Sequence, residues 1–200
     1  MRSKFVFKLI FFLIFYICVS NSYSEELKFE ATSIEIIDKD KIVIANEGVK
    51  ILSGDEIVID ADQMRYNKEE KFLEARGNVV ITNQLENIEI LSDNITYDKK
   101  KEEIISSGNV EIKFEDNYIL KTIEIVYLKN SEEILINNIT KIKDSLGNEI
   151  EFEKLNYNAS DKLIKGKKVK LLDIEKNFYN FDNAIVDFSK NQIIADNVNI

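Results

Sequence analysis

Asp62-Gln63-Met64-Arg65-Tyr66-Asn67 is followed, after a charged stretch, by Ala75-Arg76-Gly77-Asn78-Val79. Thirty-one residues further on, Asp93-Asn94-Ile95-Thr96-Tyr97-Asp98 leads to Ser106-Ser107-Gly108-Asn109-Val110. The shared unit is Asp-x-apolar-x-Tyr, a polar turn, an apolar strand, then Gly-Asn-Val. Both halves recur at the same spacing, so one supersecondary element is repeated. Weaker copies lie on either side. Ala31-Thr32-Ser33-Ile34-Glu35-Ile36 precedes the first, leading to Val49. Downstream, Ile123-Glu124-Ile125-Val126-Tyr127 leads to Asn137-Asn138-Ile139, and Leu155-Asn156-Tyr157-Asn158 leads to Val169. Val186-Asp187-Phe188 then leads to Ala195-Asp196-Asn197-Val198. The closing apolar residue thus falls at Val49, Val79, Val110, Ile139, Val169 and Val198, at intervals of 30, 31, 29, 30 and 29. These are six units of about 30 residues.

Each unit holds two strands. Leu73, Ala75, Gly77, Val79 and Ile81 alternate with Phe72, Glu74, Arg76, Asn78 and Val80; Ile104, Ser106, Gly108, Val110, Ile112 and Phe114 do the same one unit later. A period of two with one small-and-apolar face is the pattern of a half-buried strand. Polar stretches such as Asn67-Lys68-Glu69-Glu70-Lys71 and Asp98-Lys99-Lys100-Lys101-Glu102 read as turns. One feature breaks the alternation: Ile88 and Ile90 share one parity, Leu91, Ile95 and Tyr97 the other. A bulge or corner between Ile90 and Asp93 reconciles them and bends the sheet. Ile57, Ile59 and Ala61 against Met64 and Tyr66 repeat the effect. The expectation is an all-β fold of about twelve strands, bent at a recurrent place, with no helix after the first 24 residues.

Those first 24 residues read as a secretory signal peptide. Arg2, Lys4 and Lys8 form a positive start, Phe5 to Val19 is apolar apart from Lys8, and Ser22 and Ser24 place cleavage before Glu25. The run is short for a transmembrane helix, which needs ~20 apolar residues. Without these three positive charges the net charge moves from −9 to −12, which disfavours nucleic acid as a partner. The lone cysteine, Cys18, falls in the leader, and the chain contains no His, Trp or Pro. Zinc sites and Ser-His or Cys-His nucleophilic systems need residues that are missing here. The 36 acids are scattered through strands, and no two stand out as a glycosidase pair. No enzyme, metal or cofactor is expected.

The pattern Ala-Asp-x-x-x-Tyr followed by Ala-x-Gly-Asn-Val resembles the OstA-like (organic solvent tolerance) domain of lipopolysaccharide-transport proteins. It matches best at Ala61 to Val79, next at Ser92 to Val110 and loosely at Ala31 to Val49; later units keep the period but lose Gly-Asn-Val. The resemblance implies an incompletely closed antiparallel β-jellyroll, or β-taco, over residues 25–200. It also implies a periplasmic location, a non-enzymatic role in lipopolysaccharide transport and assembly at the outer membrane, and an apolar groove that shelters the acyl chains of lipid A. The partners implied are lipopolysaccharide and other transport components, joined by edge-strand addition, with outer-membrane association. The family includes stand-alone bridges and N-terminal domains of an assembly barrel. The end at Asn197-Val198-Asn199-Ile200, inside a strand, suggests the latter, truncated.

A trough of small and aliphatic side chains suits such a cargo, since each buried CH₂ of an acyl chain contributes ~0.8 kcal/mol. The expected lipid-binding wall is Met64, Leu73, Ala75, Val79, Ile81, Ile95, Tyr97, Ile104, Val110 and Ile112. An ordinary dry core accounts for the same aliphatic residues without a ligand. A stacked ladder does so for Tyr66, Tyr97, Tyr127 and Tyr157. The expected edge-strand partner contacts are Ile34 and Ile36 at one end, Ile194 and Val198 at the other. The alternative is a β-solenoid or adhesin-like spacer without a lipid ligand.

Overall fold

The computed structural model describes residues 28–53, 57–83, 88–114, 118–158, 160–161, 163–187, 190 and 192–197. The expected leader and Val198 lie outside them. β1 (Lys28–Glu30) and β2 (Ser33–Ile37) pair with the two ends of β3 (Ile42–Ser53). The long strands β4 (Ile57–Asn67), β5 (Phe72–Asn83), β6 (Ile88–Asp98), β7 (Glu103–Phe114) and β8 (Tyr118–Leu128) follow in order. β9 (Glu133–Ile136) and β10 (Thr140–Lys143) pair with the two ends of β8. β11 (Glu149–Phe152) and β12 (Lys154–Asn158) pair with the two ends of β13 (Leu163–Leu172). β14 (Phe178–Asp187) and β15 (Gln192–Asp196) complete the sheet. Every pairing is antiparallel. Three of the broken strands, β1 with β2, β10 with β9 and β11 with β12, are halves of one strand parted at a corner. So the fifteen segments make twelve strands in one open antiparallel sheet.

The corner explains the repeat. Register shifts fall between Asn46 and Val49 in β3, Arg76 and Val79 in β5, and Ser107 and Val110 in β7. There Gly77 and Asn78 stand at φ of 77° and 46°, and Gly108 and Asn109 at 77° and 48°. Two residues on the odd-numbered strand oppose one on its even-numbered neighbour, as in a β-bulge. That one residue is the motif aspartate on β4 and β6, Asp62 and Asp93, and Ile123 on β8. Asn78 Nδ2 donates to Asp62 Oδ2 at 2.8 Å, and Asn109 Nδ2 to Asp93 Oδ2 at 3.0 Å. A Cβ on either glycine would collide with that aspartate. The break in β6 falls between Leu91 and Asn94, near its expected place, but the extra residue belongs to the neighbouring strands.

At this corner the sheet folds over itself into two limbs. Phe29, on β1 of limb two, meets Tyr66, on β4 of limb one, with ring centroids 6.0 Å apart. Limb one ends in stacked turns. Asn67 Oδ1 accepts from the N–H groups of Glu69 and Glu70, Asp98 Oδ1 accepts from those of Lys100 and Lys101, and Lys99 N–H donates to Lys71 O.

The register sorts the inner side chains into four rows. Beside the corner, limb one carries Ala45, Met64, Ala75, Ile95, Ser106, Ile125, Ile136, Leu155 and Gly166 on successive strands. Limb two carries Val49, Ala61, Val79, Ser92, Val110, Thr122, Thr140, Phe152 and Val169. Farther out, limb two presents a run of isoleucines and leucines, from Ile51 through Ile81, Ile90 and Ile112 to Leu171. Limb one alternates aromatic and aliphatic: Tyr66, Leu73, Tyr97, Ile104, Tyr127, Ile134, Tyr157, Ile164. The tyrosines therefore do not stack on one another. Each lies two strands from the next, with an aliphatic side chain between.

The fourth unit also differs from its sequence register. Thr140, not Ile139, takes the inward position of Val79 and Val110: Thr140 is fully buried, while Ile139 is 57% exposed. The cause is the pairing of β10 with β8, which sets Thr140 beside Thr122, their Oγ1 atoms 3.1 Å apart.

Candidate functional site

The interior between the limbs holds all ten expected wall residues on its inner rows, but in two environments. Met64, Leu73, Ala75, Val79, Ile95 and Val110 are buried in the packed floor. Ile81, Tyr97, Ile104 and Ile112 are half-buried on the outer rows of the middle strands. The floor contributes stability in the ordinary way, about 1.5–3 kcal/mol for each large aliphatic side chain fully buried. The half-buried set packs against the two apolar clusters from the outer rows.

The outer row of limb two is apolar throughout, but the buried residues fall into two clusters. One apolar cluster runs from Val43 and Ala45 to Val79 and Ile95; a second runs from Val110 and Leu120 to Ile164 and Val169. Between them each inner row carries one serine, Ser92 on limb two and Ser106 on limb one, both buried. Thr122 and Thr140 extend the hydroxyl zone into the second cluster. Ser92 Oγ donates to Asn94 O at 3.3 Å, and Thr140 Oγ1 bonds Asn138 O at 3.0 Å. Ser106 Oγ is buried with no hydrogen-bond partner. Strand alternation marks Ser106 as inward-facing in the sequence, but nothing there says that the serine of the neighbouring strand takes the corresponding row of the other limb.

The second cluster closes differently from the first. Phe152 leans over Gly166, where a Cβ would lie 2.8 Å from its ring. The floor is thereby filled by one large ring instead of by small residues from both strands.

At the sheet edges, Ile34 and Ile36 on β2 pair with Ala45 and Val43, so they face inward yet stand 48% and 54% exposed. They are interior positions left uncovered at an open end. Ile194 on β15 pairs with Ile185 and is 58% exposed on the outer face. The two edges therefore offer different surfaces.

The outer face is charged and self-neutralised. A concavity of about 350 Å³ on limb two is lined by Lys121, Lys141, Lys143 and Lys170 with Glu149 and Glu151, around an apolar floor that includes Ile119, Leu172 and Phe178. Lys170 reaches Glu151 at 2.8 Å, Lys143 reaches Glu149 at 3.1 Å, and Lys121 reaches Glu111 at 2.7 Å. The Lys170 hydrogen bond holds the Glu151 carboxyl below the ordinary carboxylate range, against a smaller opposing effect of desolvation. At the corner, Lys168 and then Asn197 do the same to Asp182. Such exposed pairs contribute little each. Among the described residues no group of three or more Asp, Glu, His or Cys side chains gathers where a metal ion could sit.

No family model matches the chain, and no curated protein matches it. Among solved structures it is similar to the crystal structure of LptH from Pseudomonas aeruginosa, described as the LptA homologous periplasmic component of the conserved lipopolysaccharide transport device. The identity is 12% and the TM-score 0.46, over 55% of this chain and 80% of that one. The architecture described above follows from this chain's own strand register.

Proposed function

We propose that this chain is a periplasmic, non-enzymatic module of lipopolysaccharide transport that shelters acyl chains between its limbs. The observation that carries the proposal is the half-buried set Ile81, Ile104 and Ile112 with Tyr97, which lies on the inner rows and is only partly covered. An exposed apolar surface inside a fold is a place for an apolar ligand. Met64, Leu73, Ala75, Val79, Ile95 and Val110 form the floor beneath it. The Asp-Asn corner gives the motif resemblance a physical meaning, because it is the device that folds the sheet.

In this proposal the module joins its neighbours by strand addition at its edges. β2 offers unpaired backbone groups and the uncovered side chains of Ile34 and Ile36. At the opposite end β15 offers an edge with Ile194, and Val198 lies outside the described residues. If proline in place of Ile34 leaves copurification with neighbouring transport proteins unchanged, addition at β2 is abandoned.

The test of the lipid path is photo-crosslinking to lipopolysaccharide from Ile104 and Ile112, with Asn109 and Lys113 as outward-facing controls. Adducts at the two isoleucines alone are expected. A second reading is a spacer without lipid, favoured by the near-complete burial of the floor. It would be preferred if no adduct formed in folded, exported protein. A parallel solenoid is not an option for either role, since every strand pairing is antiparallel.

A further inference from the structure

We propose that the concavity on the outer face of limb two binds a single-chain amphiphile with an anionic, phosphate-like head. The site lies on the opposite face of the sheet from the inner rows and does not depend on the lipid path proposed above. Strand register lays two outward rows across it. One runs Lys121, Lys141, Glu151 and Lys170 on β8, β10, β11 and β13. The next, two residues farther from the corner, runs Ile119, Lys143, Glu149 and Leu172, with Phe178 on β14. The lining holds four lysines and two glutamates, an excess of positive charge on a chain whose net charge is −9. Three of the lysines have a close carboxylate: Lys170 has Glu151, Lys143 has Glu149 and Lys121 has Glu111. Lys141 differs. It stands directly across from Lys121, an unfavourable like-charge pair. Its carboxylate partner among the described residues, Glu151, is 3.6 Å away and is already held by Lys170 at 2.8 Å. An anion shared by Lys121 and Lys141 relieves that repulsion.

The other half of the ligand follows from the second row. Leu172 and Phe178 are cross-strand partners, 36% and 47% exposed, and half-buried Ile119 lines the concavity from the far side. From Lys141 to these two side chains is two to three strand spacings across the sheet and one two-residue step along it. That is about 12–16 Å, the reach of a chain of about ten to twelve carbons. The volume, about 350 Å³, is at the small end for a ligand site, roughly 300–1,000 Å³. Two hydrogen-bonded turns, joining β10 to β11 and β13 to β14, fix the strands that line it. Asp144 Oδ1 accepts from the N–H groups of Leu146 and Asn148, and Asn148 Oδ1 accepts from the N–H of Ile174 in the next turn. A peptide is a poorer occupant, because β8, β10, β11 and β13 are paired on both sides here and offer it no free backbone groups. A flat bilayer cannot follow an inward surface, so the ligand is a single molecule.

The test is a titration of the folded, isotope-labelled protein with dodecyl phosphate below its micelle concentration, followed by two-dimensional amide NMR. Saturating shifts are expected at Lys121, Lys141, Lys143, Leu172 and Phe178. Inorganic phosphate lacks the tail, while dodecyl maltoside and dodecyltrimethylammonium lack the anionic head; each should bind at least about tenfold more weakly. Lys141→Gln and Phe178→Ala, both at exposed side chains, should each weaken dodecyl phosphate about three- to tenfold and leave the far-ultraviolet circular dichroism unchanged. Equal binding of dodecyl maltoside or of inorganic phosphate would overturn the pairing of an anionic head with an apolar tail. Shifts confined to the inner rows would remove the outer site and leave the lipid path between the limbs standing. If the same residues shift with protein concentration alone, the face is an interface between copies of the chain and the proposal ends. The absence of any saturable shift would refute the site outright.

Discussion

Replacing Gly77 with alanine tests the corner directly. Gly77 stands at φ of 77°, where a side chain costs about 1–2 kcal/mol in backbone strain. The new Cβ would also overlap the Asp62 carboxylate and lie 3.0 Å from the Asp62 Cβ. The carboxylate can swing away, but then it loses Asn78 Nδ2, now 2.8 Å distant. That hydrogen bond is exposed, so its loss is worth about 0.5–1 kcal/mol, at the low end for such bonds. The sum is about 1.5–3 kcal/mol, which with a urea slope of about 2 kcal/mol/M moves the unfolding midpoint by roughly 1 M. Urea unfolding followed by far-ultraviolet circular dichroism reads it. The decisive comparison is a double-mutant cycle. In an Asp62→Ala background the hydrogen bond is already gone and the carboxylate no longer obstructs, so Gly77→Ala should cost only about 1–2 kcal/mol. Equal costs in the two backgrounds, within about 0.3–0.5 kcal/mol, would refute the pairing of Asp62 with the glycine-asparagine bulge.

Phe152→Ala should cost about 3–5 kcal/mol, because it empties the floor above Gly166, and the same urea titration measures it. Thr140→Val strands the buried Thr122 hydroxyl and should cost about 1–3 kcal/mol, while adding Thr122→Val should recover part of that loss; an additive double variant would speak against the pair. The carboxyls of Asp98, Glu151, Asp173 and Asp182 are held low, chiefly by hydrogen bonds from Lys101, Lys170, Asn177 and Lys168 respectively. Groups lowered on folding stabilise above their ordinary values, here 3.8 for aspartate and 4.5 for glutamate, and lose that contribution as pH falls through the lowered ones. Melting temperature should therefore change little from pH 7 to about 5 on account of these groups and fall in more acid solution, less steeply at high salt. A melting temperature that is flat from pH 5 to 2.5 would remove these pairs from the account.

Much of the fold was legible because strands write their two faces at a period of two. The twelve strands, the bend and the inward faces of Leu73, Ala75, Val79 and Ile81 all followed from that period. The motif aspartate was visible as a repeated letter, but its partner was not. Asp62 and Asn78 are sixteen residues apart and meet only because the hairpin returns. The fourth unit misled for a related reason. Asn138-Ile139 resembles Asn78-Val79, yet hydrogen bonding to β8 places Thr140 inward and leaves Ile139 exposed.

What the amino-acid order determined alone was the local rule: alternating strands, charged turns, and a glycine-asparagine step at the corner of the second and third units. Those follow from sterics and hydrophobic patterning within a few residues. Tertiary structure decided which side chains became neighbours across strands and across limbs. It turned one set of aliphatics into packed floor and left another half-buried on the outer rows, and it set two serines, one on each limb, between two apolar clusters. The physical reason is that burial and hydrogen-bond satisfaction depend on distances between strands, and register and sheet folding set these only after the chain has closed on itself.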